Sequence, residues 1–307
     1  MTDVKYYLAP MEGVTTWIYR RAHAQIYGPL DKYFIPFVEP HEKRMFKKKE
    51  IDEILPEHNV DGYTVPQILT NKADGFIKLA KALKELGYEE INLNVGCPSK
   101  TVTVKGKGSG FLEYPDALDH FLEEIFSNLD MKISVKTRAG MFEPEEFGHL
   151  LDIYNKYPLE ELIIHPRVGA DFYRNEPRWE VYREARKKSK NALCYNGDLF
   201  VEKYVQRFLE EFPEEDRVMI GRGVMVNPGL VTGQNDKETF WKFHDQLYQD
   251  YREHIGDNAL YRMKELWFYQ IHSFPDAEKY AKKLRKAQKL KDYEQVMREL
   301  ENCEYCT

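Results

Sequence analysis

Cys97 stands between Gly96 and Pro98, directly after an alternating run that begins at Glu90. In that run Ile91, Leu93 and Val95 alternate with Asn92 and Asn94, which is strand periodicity, and Pro98 locks the backbone behind the thiol. A thiol fixed at the carboxyl end of a strand lies where α/β folds do chemistry. The alternative is a buried cysteine acting as a small hydrophobe. Asn94, Gly96 and Pro98 argue against it, because such residues shape a loop rather than fill a core. Lys136 and His165 fall at the ends of two further strand-like runs. A lysine there can be a Schiff-base amine, a phosphate clamp or a donor to a flavin ring. A strand-end histidine can be a base, a metal ligand or a hydrogen-bond donor. No second histidine or carboxylate sits at metal spacing nearby, so no metal is expected. Gln67 joins a donor and an acceptor in one neutral group, which suits an imide-like ring edge.

Positioning such groups requires a scaffold whose strand ends converge. Strand-like runs are Tyr6–Ala9, Tyr33–Val38, Gly62–Val65, Glu90–Asn94, Lys132–Val135, Leu162–His165, Ala192–Tyr195 and Val218–Ile220. Helical patterns lie between most of them, including Asp74–Leu86, Pro115–Asn128, Pro144–Tyr157 and Val201–Phe212. Eight strands with intervening helices predict an α/β fold of the (β/α)8 TIM-barrel type, with a doubly wound sheet as the alternative. Seven of the strands end in special residues: Pro10-Met11, Pro66-Gln67, Gly96-Cys97, Lys136-Thr137-Arg138, His165-Pro166-Arg167, Asn196-Gly197-Asp198 and Gly221-Arg222-Gly223. In a barrel these converge on the mouth where barrel enzymes place their sites. The glycines of the last two groups let backbone N–H groups approach an anion, so a phosphate site is expected there; each is also an ordinary turn sequence. After Pro228 a linker, GLVTGQNDKE, leads into aromatic-rich helix without strand signals. The expected division is 1–235 for the barrel and 238–307 for a small C-terminal helical domain.

The chain has 307 residues, 42% of them apolar, with a formal net charge of −6 and a mean hydropathy of −0.64. That supports a core and excludes a disordered chain. No apolar run approaches the roughly 20 residues of a membrane helix, and the N-terminal stretch has no secretory pattern. The four cysteines, Cys97, Cys194, Cys303 and Cys306, form no secreted-scaffold framework, so a cytoplasmic protein is expected. An acidic total argues against nucleic-acid binding, but its distribution does not. Residues 279–291 hold seven cations and no acid, and 43–49 hold five. Within the first run Lys279, Lys282, Lys283 and Lys286 lie three or four apart, and Lys289 extends the stripe. A solvated helix face is the other reading of such a run. No sequence feature fixes the oligomeric state, and a monomer is the expectation.

The sequence INLNVGCPSKTV followed by GKGSGF resembles the active-site segment of the tRNA-dihydrouridine synthases, flavoproteins that reduce uridine in tRNA. The resemblance extends in order along the barrel. Ala9-Pro10-Met11-Glu12-Gly13-Val14-Thr15 matches the segment under the flavin, Gln67 the glutamine after strand three, and Asn94–Pro98 the cysteine loop. Val135–Arg138, His165-Pro166-Arg167, Asn196-Gly197-Asp198 and Gly221-Arg222-Gly223 match the later elements, and Arg262–Trp267 a segment of the helical tail. Glu12, Pro166 and Ser109-Gly110-Phe111 depart from the family pattern. The resemblance implies FMN as cofactor, contacted by Pro10, Met11, Gln67, Lys136, His165, Asn196, Gly197, Asp198, Gly221 and Arg222, and NADPH as electron donor. It implies Cys97 as the acid that protonates C5 of uracil after hydride arrives at C6. A tRNA partner is implied at Asn94, Lys100, Arg138 and Arg167, and the cationic tail adds Lys282, Lys283 and Lys286.

Three rival readings share parts of this pattern. A dihydroorotate-dehydrogenase-like flavin barrel acting on a free pyrimidine needs no basic tail. A catalytically silent RNA-binding protein needs no flavin. A Schiff-base aldolase needs only Lys136 from the set.

Overall fold

The computed structural model describes residues 4–60 and 63–306. Eight parallel strands close into a barrel in sequence order: β1 (Lys5–Leu8), β2 (Lys32–Val38), β3 (Thr64–Ile68), β4 (Glu90–Val95), β5 (Lys132–Gly140), β6 (Leu162–Val168), β7 (Leu193–Asn196) and β8 (Arg217–Ile220). β8 closes the ring on β1, pairing Tyr7 with Met219. Around it run α1 (Trp17–Tyr27), α2 (Lys48–Ile54), α3 (Ala73–Glu85), α4 (Lys100–Thr103), α5 (Pro115–Asn128), α6 (Glu146–Tyr154), α7 (Trp179–Lys188), α8 (Glu202–Glu211) and α9 (Arg222–Val226). The helical C-terminal region holds α10 (Lys237–Ile255), α11 (Ala259–Gln270), α12 (Ala277–Lys286) and α13 (Leu290–Glu301). The barrel expectation is met and the doubly wound alternative is not. The expected start of the third strand, Gly62, lies outside the described residues; the strand runs three residues past its expected end, to Ile68.

Side-chain alternation assigns each strand two faces. The apolar set of β4, Ile91, Leu93 and Val95, turns outward to the main core under the helices. Its polar set, Glu90, Asn92 and Asn94, turns into the barrel. Register carries the same parity around the ring: Asn94 pairs Lys136, Arg138 pairs His165, Ile163 pairs Cys194, and Asn196 pairs Met219. The barrel interior thus has a small apolar band of Tyr7, Phe34, Val65, Ile163, Cys194 and Met219, with Ala9 above it. Polar residues lie on both sides of that band.

β5 and β6 also outrun the sequence expectation. β5 continues to Gly140 and β6 to Val168, so Lys136 and His165 sit within strands rather than at their ends. A register shift between Arg138 and Gly140 accommodates the Pro166 stretch of β6. In the tail the cationic run is not one helix. It breaks after Lys286, and Lys289 begins a new turn as the residue preceding α13. The stripe therefore ends at Lys286.

The helical region is packed onto α1. Phe243 of α10 is fully buried and meets Tyr19 and Tyr27 edge-on at ring separations of 5.4 and 5.3 Å. Thr16 and Tyr251 share a hydroxyl hydrogen bond of 2.6 Å beside this contact. Phe243→Ala is expected to destabilise the protein by about 3–5 kcal/mol, since a ring is removed from a site with no room to collapse. Urea unfolding followed by far-UV CD measures this; a change below about 1 kcal/mol would mean that this contact is dispensable.

Candidate active site

The barrel mouth opens into a cavity of about 540 Å³. Thirteen of the residues expected at a site line it, among them Pro10, Met11, Gln67, Asn94, Cys97, Lys136, Arg138, His165, Asn196, Gly197 and Asp198. Gly221 and Arg222 complete the wall from the turn after β8.

Cys97 is half-buried and its loop is fixed from both sides. Asn94 Oδ1 accepts the N–H of Cys97 at 2.9 Å and that of Gly96 at 3.0 Å. The Cys97 carbonyl accepts from the backbone N–H and hydroxyl of Ser109 at 3.0 and 3.2 Å. Gly108 makes that approach possible: its φ is +56°, and a Cβ there would lie 2.6 Å from the Cys97 carbonyl oxygen. The GKGSGF segment is thus the back wall of the cysteine loop. Burial pushes the Cys97 thiol up, opposed by a backbone hydrogen bond at Ser99 and by Arg138 and Lys136. The thiol is held as a proton donor at neutral pH.

Opposite lies a group of nitrogen bases without a carboxylate. Burial pushes Lys136 down to about 8, and the Arg138 charge adds to the effect. The other groups acting on that charge are Cys194 and Cys97, neither of them an acid residue. Burial, then Arg138 and Lys136, drive His165 well below the ordinary histidine range, so the ring is neutral. His165 Nδ1 is buried and has no partner among the described residues. Such a set suits a planar, electron-rich heterocycle that accepts hydrogen bonds and takes up negative charge. A flavin ring meets both demands, and the residues fit it.

Some expected contacts have other work. Arg167 is 2% exposed; it donates to the Asn175 carbonyl and grips Asp198 with both terminal nitrogens. It is not part of the cavity lining, and its guanidinium is engaged within the protein. Arg138 donates to the carbonyls of Gly96 and Val168, so it fixes the two flanking strand ends. Asn94 turns its amide toward Gln67, at 2.7 Å, and toward the Cys97 loop. Asn196 donates to the Met219 carbonyl. Lys100 is exposed at the start of α4, outside the cavity lining. Lys282 and Lys286 are exposed, whereas Lys283 is paired with Glu299 and lies over the Tyr280 ring. Among the described residues no group of three or more His, Cys, Asp or Glu is arranged to hold a metal.

Other lining residues were not expected from the sequence. Tyr173 is 54% exposed, and the guanidiniums of Arg138 and Arg222 lie 5.3 and 4.7 Å from its ring centre. The loop that presents it bends at Phe172, whose φ is +53°. Phe268 and Tyr269 reach the cavity from α11, and Phe268 is 71% exposed. An exposed aromatic among polar residues was the available signal, as in GADFYRN.

Fold and site together define a barrel oxidoreductase whose mouth fits a flavin. The family model described as dihydrouridine synthase (Dus) matches residues 7–306, and the chain belongs to that family. A probable tRNA-dihydrouridine synthase of Staphylococcus aureus is 30% identical over 234 residues, covering 73% of this chain and 69% of its own. The tRNA-dihydrouridine(16) synthase of Vibrio parahaemolyticus is 26% identical over 303 residues, covering 91% and 90%. Among solved structures, a 2-naphthoyl-CoA reductase complex superposes with a TM-score of 0.56 at 10% identity, over 74% of this chain and 49% of that one. That last likeness is one of fold.

The Lys136 site sets a pH dependence. Its ammonium is charged below about 8 and neutral above. Flavin added to flavin-stripped protein should bind progressively more weakly as pH rises through that value. Lys136→Met should bind weakly at every pH, with no step. Equal wild-type affinity at about pH 6.5 and about pH 9.5, read by flavin fluorescence, would remove Lys136 from the cofactor contacts.

Proposed function

We infer that this chain reduces uridine in tRNA to 5,6-dihydrouridine, with FMN as cofactor and NADPH as reductant. The observation that carries the reading is a protonated, half-buried thiol in the same cavity as Lys136 and His165. Lys136 and His165 would hold the flavin ring, and Cys97, lining the same cavity, would serve a substrate ring bound beside it. Flavin, when bound, supplies the hydride that adds to C6 of the uracil. Cys97 gives its proton to C5, which completes reduction of the C5–C6 double bond. Lys136 and His165 hold the flavin ring by hydrogen bonds, and the lysine charge favours its electron-rich form. Pro10 and Met11 support the ring from the turn after β1. Met11 is itself fixed by Thr15, whose hydroxyl accepts the Met11 N–H at 2.8 Å.

The loops after β7 and β8 carry the FMN phosphate in this reading. Asp198 joins them, accepting from Arg167 and from Arg222, the latter at 2.6 Å. Two guanidiniums against one carboxylate leave one positive charge for a single phosphate. Asn196, Gly197 and Gly221 shape that corner. The barrel, residues 1–235, holds cofactor and chemistry, and residues 238–307 bind tRNA. A uridine in tRNA must leave its stack to enter the cavity, and the exposed rings of Tyr173 and Phe268 at the rim are available to stack on it. Among the described residues no helix is long and apolar enough to cross a membrane, and the reading places the enzyme in the cytoplasm with its tRNA.

The decisive experiment incubates purified protein with FMN, NADPH and unmodified tRNA and maps dihydrouridine by mass spectrometry. Wild type should form it, and the protein should release FMN on denaturation. Cys97→Ala should retain FMN and its reduction by NADPH, while turnover on tRNA falls about 10²–10⁴-fold. No product from wild type, or product from free uracil alone, overturns the assignment.

The tail makes a separate prediction. Lys282→Glu with Lys286→Glu should weaken tRNA binding and reduce its salt slope by roughly one for each phosphate no longer neutralised. Lys283 is left intact because it pairs with Glu299. Flavin content should not change. Unaltered binding across salt concentrations would make the stripe a solvated face.

A further inference from the structure

The inward face of β4 carries Glu90, Asn92 and Asn94, and register sets it between Gln67 on β3 and Ser134 on β5. These five side chains form one line of hydrogen bonds through the barrel. Asn94 Nδ2 donates to Gln67 Oε1 at 2.7 Å, and Gln67 Nε2 donates to Asn92 Oδ1 at 2.8 Å. Asn92 Nδ2 donates to Ser134 Oγ at 2.9 Å, and that hydroxyl donates to Glu90 Oε1 at 2.7 Å. Gln67, Asn92 and Ser134 are fully buried, so the three amide links are closed to water, and the Ser134–Glu90 link is part-buried.

An amide can be turned over without changing its shape; only its donor and acceptor ends exchange. Here both ends of the line are pinned. At the mouth the backbone N–H groups of Gly96 and Cys97 can only donate, and Asn94 Oδ1 receives both. At the base burial pushes the Glu90 carboxyl up, and the Lys32 ammonium, 2.7 Å from Glu90 Oε2, opposes that shift and favours the acceptor form. Lys32 is shared with Glu161, at 2.8 Å, and Glu161 also faces Tyr7 and Arg217. One polarity satisfies every link between the two ends. The reverse polarity turns the Asn94 NH2 toward two N–H donors and leaves both without an acceptor.

We propose that Glu90 and Ser134 are positioning residues for Cys97: the carboxylate at the base sets the polarity of the line, and the line makes Asn94 present its oxygen to the loop that carries the thiol. Neither residue touches the cavity. Ser134 is the single link between the amides and the carboxylate. The proposal rests on Cys97 being the proton donor, and its test reads the thiol directly.

Ser134→Ala removes the connecting hydroxyl. Glu90→Gln replaces the carboxylate acceptor with a group that can face Ser134 by either end, and Lys32 retains Glu161. Ser134→Thr keeps the hydroxyl and serves as the rescue. In the flavin-loaded protein, alkylation of Cys97 by iodoacetamide is followed by mass spectrometry, with the exposed Cys306 as internal reference. Ser134→Ala and Glu90→Gln should raise the Cys97-to-Cys306 rate ratio roughly threefold or more, because the loop loses its acceptor and the thiol gains access. Single-turnover reduction of tRNA should fall about tenfold or more, since the donor is misplaced. Because Gln67 belongs both to the line and to the cavity, the variants are compared after reloading with flavin, and Ser134→Thr should resemble wild type in both readouts. Should Glu90→Gln not fold, Ser134→Ala decides alone. Alkylation ratios like wild type in the folded variants overturn the proposal whatever the tRNA rates. A raised ratio in a protein whose wild type reduces no tRNA supports the line and overturns the assigned reaction instead.

Discussion

Uncompensated positive charge at the barrel mouth is the constraint on which the site depends. Lys136 and Arg138 sit two residues apart on one strand, facing inward, with His165 in register beside Arg138. The nearby carboxylates are engaged elsewhere: Asp198 with Arg167 and Arg222, and Glu12 with Lys49. Burying cations without an anion is unfavourable, and the downward displacement of Lys136 and His165 is the direct expression of that cost. A ligand that accepts hydrogen bonds and takes up negative charge relieves it. A field of this sign favours a ligand that gains negative charge over one that stays neutral.

The other end of the barrel is organised in the opposite way. Lys32 bridges Glu90 and Glu161, Arg217 reaches Glu161, and Tyr7 donates to it. There the charges are paired and each of these carboxylates has a cation. The apolar band of Phe34, Val65, Ile163 and Met219 separates the two polar ends. This agrees with the division of labour in such barrels, where the base serves stability and the mouth serves chemistry. On the β3–β5 side, however, the band is crossed by amides. Gln67, Asn92 and Ser134 link the compensated end to the uncompensated one through hydrogen bonds alone, so orientation is transmitted without moving a charge.

Much of this was readable in the sequence because strand periodicity is strong where one face is apolar. EINLNV shows both faces at once: Ile91, Leu93 and Val95 for the helix layer, Asn92 and Asn94 for the interior. The eight strands and the order of their special residues followed from that signal. Strand length did not, because Lys136–Gly140 and His165–Val168 are polar or contain proline, and local propensity ends a strand where tertiary pairing continues it. The break between α12 and α13 was hidden for a different reason. Charge spacing ran across Ala287–Lys289 without interruption, and no glycine or proline marked the turn. Arg167 illustrates a third limit. The family resemblance implied a tRNA contact for it, but its partner Asp198 lies 31 residues away, and only the fold brings them together.

The boundary between barrel and helical region is clear along the chain and absent at the cavity. Arg262 of α11 donates to the Gly13 carbonyl at 3.0 Å, within the turn that presents Met11 to the mouth. Gly13 has a φ of +78°, a conformation that favours glycine, and a Cβ there would lie 3.2 Å from that guanidinium. From the next turns of the same helix Phe268 and Tyr269 join the cavity wall. The helical region thus braces a loop of the barrel and supplies part of its rim. The turn that carries Met11 and the helix that carries Phe268 and Tyr269 therefore form one continuous wall of the cavity, held together by the Arg262 contact.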